Sequence, residues 1–396
     1  MSDRYRILNG QVILPDRIIP NGCVLVEGGR IAGIESGDAE FSGATDIDAA
    51  GLYISPGFID IHVHGGGGYD FMDGTEKAFL GIARIHALHG TTSMLPTTLT
   101  AEKQDLMETL AVFERVKGMA HDGANFMGMH LEGPYFSMQQ RGAQDPRFIR
   151  DPDPEEYLEI LAHSPSVRRW SAAPERKGAI EFGRELVRRG ILPSMAHTDA
   201  IYEEALEAYV NGYTLLTHFY SAMSGVTRRN AFRYAGVVEA GYLHDGLDVE
   251  IIADGVHLPP PLLQLICKIK GPDRTALITD AMRGACMPEG ESHLGTARHP
   301  FPVIVEDGVA KLPDRSAFAG SVATADRLVR TMLSSTDLKL EEVIRMISST
   351  PARIMKVDDR TGALKKGLDA DIVLFDAGIG IRMTMVRGRI VHRTGL

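Results

Sequence analysis

Residues 56–65 read PGFIDIHVHG, and this stretch decides how the rest of the chain is read. Phe58–Val63 is a short apolar run bounded by Pro-Gly and a glycine cluster, which predicts a buried strand. His62 and His64 are two apart, so on a strand both side chains point to one face. Two imidazoles placed so can grip one metal ion; the plainer alternative is a pair of polar residues at the rim of a sheet.

Working outward, seven more apolar segments predict strands: Thr91–Pro96, Phe126–Leu131, Val167–Ala172, Leu192–His197, Tyr213–His218, Val249–Asp254 and Ala276–Asp280. Helical patterns lie between them, among them EKAFLGIARIHALHG, KQDLMETLAVFERVKG, AIEFGRELVRRG and EEALEAYVNG. They carry apolar residues at i, i+3 and i+4, and several end at Gly. Eight such βα units are the number that closes a barrel. Both ends of the chain differ from this middle, being short alternating segments broken by Asn-Gly and Gly-Gly turns. The expected fold is therefore α/β, a (β/α)8 TIM-type barrel over residues 56–354. A small β-sandwich domain is expected from both termini, residues 1–55 and 355–396. After the eighth strand, FPVIVEDGVAKL predicts a hairpin around Asp307-Gly308, and helices are expected from Thr324 and from Lys339.

The formal net charge of −10 argues against nucleic acid or an anionic membrane as the main partner. The three cysteines form no C-x-x-C pair, which favours a reducing compartment over a disulfide framework. The N-terminus lacks the pattern of a signal peptide. No apolar run reaches the roughly 18–20 residues that span a bilayer. A cytoplasmic protein is expected.

In barrels of this type the reacting residues sit at the C-terminal ends of the strands. Here His62 and His64 end strand one, His130 and Glu132 strand three, His197 strand five, His218 strand six and Asp280 strand eight. Such nitrogen and carboxylate donors suit Zn²⁺ first, and also Fe²⁺, Mn²⁺ or Co²⁺. A bound ion lowers the pKa of water from 15.7 toward about 7. Asp280 is placed to take that water's proton and pass it to a leaving group. His130 shares a face with Glu132 and is a candidate for supporting it. His86 and His89 fall inside a helical pattern and read as helix-face residues. His257, just past strand seven, sits where it could reach a substrate hydroxyl.

PGFIDIHVHG, HLEGPYFSMQQRGAQDP, MAHTDA, LTHFYSAM, IIADGVHLPP, LITDAM and FAGS occur in that order. Together they resemble the amidohydrolase superfamily and, within it, the N-acetylglucosamine-6-phosphate deacetylases, over nearly the whole chain. The resemblance implies hydrolysis of the acetamide of an amino-sugar phosphate. It implies one metal on Glu132, His197 and His218, a second on His62 and His64 with Glu132 bridging, and Asp280 as catalytic acid/base, close enough to be counted with the metal set. Substrate contacts would come from Gly142, Ala143, Gln144, Ser221, Ala222, His257, Ala319 and Gly320. Many relatives bridge two metals with a carboxylated Lys on strand four. VRRWSAAPE has no Lys, which favours the Glu132 arrangement. Gln144 stands where single-metal members carry a His that polarises the acetamide, a task a second metal could assume.

The phosphate end departs from the pattern: Ser221-Ala222-Met223 replaces Asn-Ala-Met, and SGVTRRNAFRYAG differs in length and lacks Gly-Arg-Glu-Pro. Arg228, Arg229 and Arg233 are either bidentate anion ligands or solvated loop arginines. The resemblance also implies a homodimer. Three readings stand open: an N-acetylglucosamine-6-phosphate deacetylase, a deacylase of another N-acyl sugar or amide, and a non-catalytic sugar-phosphate-binding protein.

Overall fold

The computed structural model describes residues 4–296 and 298–395. Among these, parallel segments follow one another in chain order: Phe58–Val63, Thr91–Pro96, Met129–Glu132, Val167–Ala172, Leu192–Met195, Leu215–Leu216, Asp248–Ile251 and Thr275–Leu277. The first two pair with each other, and the last six form one continuous parallel sheet. The two pieces meet at a bridge between Thr97 and His130. At the other seam the Asp280 amide donates to the His62 carbonyl at 2.9 Å. The result is a TIM-like barrel. All six residues of the first strand are buried, as expected of a parallel strand covered on both faces.

The strand extents correct the sequence-based expectation. The fifth, sixth, seventh and eighth strands stop two or more residues before His197, His218, Asp254 and Asp280, and the third is split into Asn125–Phe126 and Met129–Glu132. The reason is local. His197, His218 and Asp280 have φ of 46°, 34° and 47°, a left-handed backbone that ends strand pairing. The apolar pattern runs on through these residues, but the chain turns there and aims the side chains across the barrel mouth.

Helices pack outside. Glu76–Ala87 begins at Thr75, whose hydroxyl accepts from the Ala78 amide, and buries Ala78, Phe79, Ile82, Ala83 and His86. Lys103–Val116 and Ala179–Arg188 follow the same amphipathic logic. The Asp307-Gly308 hairpin joins Phe301–Glu306 to Val309–Lys311. The late helices span Ala325–Ser335 and Leu340–Ile347, with Thr324 and Lys339 as their N-caps.

Both termini contribute to one eight-stranded sheet in which Ile372–Phe375, from the C-terminal part, pairs with Tyr53–Pro56. This sheet has its own apolar core, including Ile7, Val24, Ile54, Ile372, Leu374 and Met383. Asp371 ties it to the barrel entrance: its carbonyl accepts from the Gly57 amide, and its carboxyl accepts from the Thr361 hydroxyl and the Arg387 amide, each at 2.8 Å. Burial pushes this carboxyl up to about 6 against the pull of those two donors. The folded-state pKa therefore lies above the unfolded one, so the folded protein binds more protons between pH 4 and 6. The group's stabilisation is full below pH 4 and lost as pH rises through 6. Asp371→Asn should remove up to about 3 kcal/mol of that pH dependence, read as the change in urea midpoint between pH 4.5 and 6.5.

Candidate active site

The mouth of the barrel gathers six polar side chains from five strand ends, joined by Gln144 from the loop after Glu132. Glu132 lies at the centre. Its Oε1 is 3.3 Å from His62 Nε2, 3.5 Å from His197 Nε2 and 3.2 Å from His218 Nε2. Its Oε2 is 3.5 Å from His64 Nε2 and accepts from the Gln144 amide at 2.6 Å. Asp280 Oδ1 is 3.1 Å from His64 Nε2 and 3.4 Å from His62 Nε2. All of these residues are buried. Two metal-compatible groups result, His62–His64–Glu132 and Glu132–His197–His218, with Glu132 common to both.

The second-layer contacts say which nitrogen of each ring faces inward. His197 Nδ1 is 2.9 Å from the Gln140 carbonyl, His218 Nδ1 3.0 Å from the Ser221 carbonyl and His64 Nδ1 3.3 Å from the Thr97 carbonyl. A carbonyl oxygen only accepts, so each Nδ1 carries the proton and each Nε2 turns a lone pair to the centre. Lone pairs and carboxylate oxygens thus converge with few donors between them, a donor set that fits a divalent cation of the Zn²⁺ type. The charges agree. Burial disfavours a charged His62, yet Glu132 and Asp280 outweigh it and push the ring up to about 10. Against the cost of burial, His62, His197 and His218 hold the Glu132 carboxyl well below the usual carboxylate range. The site is a field that draws positive charge.

The local backbone is built around packing. Trp170 is fully buried, donates from Nε1 to the Gly133 carbonyl at 2.8 Å and stacks on Tyr135 at 5.6 Å, anchoring the turn that follows Glu132. Aromatic contacts of this kind add about 0.5–1.5 kcal/mol beyond area burial. Phe136 packs on the His197 ring at 4.6 Å. Gly320 has φ of 76°, and a Cβ there would meet the Asp280 carbonyl at 3.1 Å, so the FAGS turn comes close to the site through a residue without a side chain.

The cluster opens into a cavity of about 540 Å³, within the range that suits a small ligand. Of the residues singled out by sequence, His64, Glu132, Gly142, Ala143, Gln144, His197, His218, Ser221, Ala222, His257, Asp280, Ala319 and Gly320 line it, while His62 lies beneath. His257 Nδ1 contacts Asp254 at 2.7 Å, which leaves Nε2 as its other binding atom. Arg228 and Arg233 do not line the cavity. They sit on an exposed hairpin, Thr227–Arg229 with Phe232–Tyr234, and the Arg229 side chain lies outside the described residues. Arg141, which the sequence reading passed over, is the one Arg or Lys among the described lining residues; its signal was its place directly before Gly142-Ala143-Gln144. His130 is not at the cavity. It bridges the Ser171 and Thr97 hydroxyls at 2.7 and 3.3 Å, packs edge-on against His62, and is kept neutral chiefly by burial. Outside the cluster, His86 meets the Gly65 carbonyl at 2.9 Å, and His89 contacts Asp326 at 3.2 Å.

Comparison with known proteins fits this geometry. The pattern of the amidohydrolase family matches residues 53–391. The chain is 33% identical over 387 residues to the N-acetylglucosamine-6-phosphate deacetylase of Vibrio furnissii, covering 98% of this chain and 93% of the relative. It is equally 33% identical, over 338 residues, to the N-acetylgalactosamine-6-phosphate deacetylase of Escherichia coli O157:H7, covering 85% and 87%. A solved mutant of the N-acetyl-D-glucosamine-6-phosphate deacetylase of Mycobacterium smegmatis, in complex with N-acetyl-D-glucosamine-6-phosphate, superposes with a TM-score of 0.90 at 29% identity over 99% of this chain and all of that one. The chain belongs to the amidohydrolase family and is a hydrolytic enzyme acting on an amide.

Proposed function

We propose that this enzyme hydrolyses the acetamide of N-acetylglucosamine 6-phosphate to glucosamine 6-phosphate and acetate. The observation that carries the reading is Glu132 shared between two histidine pairs, with Asp280 3.1 Å from His64 on the wall of the same cavity. Glu132, His197 and His218 would hold one divalent ion and His62 with His64 a second, zinc by preference of the donor set. Such an ion acidifies water and polarises a carbonyl.

The chain's own residues do the rest. His62 and His64 outweigh burial and keep the Asp280 carboxyl below its ordinary range, so it is ionised and ready to accept a proton. Asp280 takes the proton of the attacking water as the new C–O bond forms. It delivers that proton to the amide nitrogen as the C–N bond breaks, so the amine leaves neutral and the acyl group leaves as acetic acid, which gives its remaining proton to solvent and becomes acetate. Gly142, Ala143, Ser221, Ala222, His257, Ala319 and Gly320 would hold the sugar. Gln144 restrains Glu132 while accepting from the Thr100 amide at 2.9 Å. Arg141 is the cavity's own candidate for the phosphate, with Arg228 and Arg229 left for an anion arriving by another route, such as a partner subunit of a homodimer. We read the enzyme as cytoplasmic, and the terminal sheet as a β-sandwich domain of residues 1–55 and 355–396 beside the 56–354 barrel. Among the described residues no helix is long and apolar enough to cross a membrane.

The equal likeness to an N-acetylgalactosamine-6-phosphate deacetylase favours a second reading, in which the C4 epimer is the substrate. Acetate release from both sugar phosphates and from unphosphorylated N-acetylglucosamine separates these readings. The expected order in kcat/KM is N-acetylglucosamine 6-phosphate first, with at least a tenfold loss for the epimer and about 100-fold or more for the uncharged sugar, the cost of about 3 kcal/mol in lost charged contacts. Equal rates with and without phosphate would contradict the phosphate assignment.

A further inference from the structure

Beneath the histidine cluster lies an ion pair that the proposed chemistry does not use. Arg169, on the fourth barrel strand, and Glu250, on the seventh, both have fully buried side chains. A guanidinium has five N–H donors, and five contacts account for them. Two run to the Glu250 carboxylate, one of them at 2.8 Å. The others reach the Ile61 carbonyl at 3.1 Å, the Ser194 hydroxyl at 3.0 Å and the Thr217 hydroxyl at 2.8 Å. A buried pair like this does not by itself stabilise a fold, because desolvation offsets the attraction. Its location suggests a different role.

Glu250 Oε2 is 3.7 Å from His62 Nδ1. That nitrogen is buried and has no hydrogen-bond partner. The other three imidazoles of the cluster have Nδ1 fixed by backbone carbonyls of Thr97, Gln140 and Ser221. His62 alone of the four turns its Nδ1 toward a side chain, and that side chain is locked in place by Arg169. A ligand histidine offers Nε2 only while Nδ1 keeps its proton, and an acceptor behind Nδ1 sets that tautomer and the ring's direction.

We propose that Glu250, oriented by Arg169, is the positioning residue for His62, and that retention of a divalent ion at the His62–His64–Glu132 position depends on this pair. The inference rests on the reading that this position binds an ion. It makes the two ion positions unequal. The Glu132–His197–His218 position is braced by main chain at both rings, whereas the other is braced by main chain at His64 alone and relies at His62 on a side-chain pair joining the fourth and seventh strands.

The test is a Zn²⁺ titration of metal-free full-length protein against a competing chelator, with folding followed by circular dichroism. The wild type should take two equivalents. Glu250→Gln should keep the tighter equivalent unchanged and weaken the other about 10–100-fold. The double variant Arg169→Met/Glu250→Met removes both charges together, a change that buried pairs tolerate, and should show the same selective loss with an unchanged melting temperature in the metal-free state. Two equivalents of wild-type affinity in either folded variant would overturn the role of Glu250. A single equivalent in the wild type would instead overturn the two-position reading beneath it, and the proposal with it.

Discussion

Asp280→Asn is expected to lower kcat by about three orders of magnitude, within the 10²–10⁴ that general acid–base catalysis supplies. The carboxylate stands on the cavity wall, with Oδ1 3.1 Å from His64 Nε2. Its backbone is held at both sides: its amide donates to the His62 carbonyl at 2.9 Å, and its carbonyl accepts from the Ser321 amide at 2.8 Å. An asparagine fits the same space but cannot accept the water's proton or return it to the amine. Because the amide keeps the shape and Glu132, His197 and His218 are untouched, KM and the more tightly held metal should change little. Steady-state acetate release combined with metal analysis checks this. A kcat near that of the wild type, with metal bound, would refute the proton-transfer role.

Glu132→Gln should have the largest effect of any single change. Both metal-compatible groups at the barrel mouth contain this carboxylate, which is buried among four imidazole nitrogens and the Gln144 amide. A neutral amide removes the negative charge that both positions share and places an NH₂ donor where lone pairs converge. Metal content should fall toward zero, and activity by about 10⁴ or more, since water without an ion returns from a pKa of about 7 toward 15.7. The fold should survive, because the change removes a buried charge rather than creating one. Metal content and turnover measured on the same preparation decide it; retention of both at wild-type levels would show that Glu132 is not the shared ligand.

The barrel was legible because its strands are short apolar runs at regular intervals, each followed by an amphipathic helix. The candidate site was legible because His62 and Glu132 are in strands, His64 directly follows one, and His197, His218 and Asp280 lie just beyond strand ends. The apolar pattern misplaced those ends, since it carries no mark of a left-handed backbone at a histidine or an aspartate. Arg169 and Glu250 were illegible for another reason. In sequence Arg169 is one of two adjacent arginines and Glu250 one acid in VEII; only closure of the barrel brings them together. Arg228 could be read in sequence either as an anion ligand or as a solvated loop arginine, and the fold places it on an exposed hairpin, while the inconspicuous Arg141 lines the cavity.

The most direct test of the account is acetate release from N-acetylglucosamine 6-phosphate by the full-length protein, before chelator treatment, after it, and after zinc is restored. The account predicts acetate and glucosamine 6-phosphate in equal amounts, loss of turnover with the metal, and its return with zinc. No turnover by metal-replete protein, or turnover unchanged by complete metal removal, would contradict it.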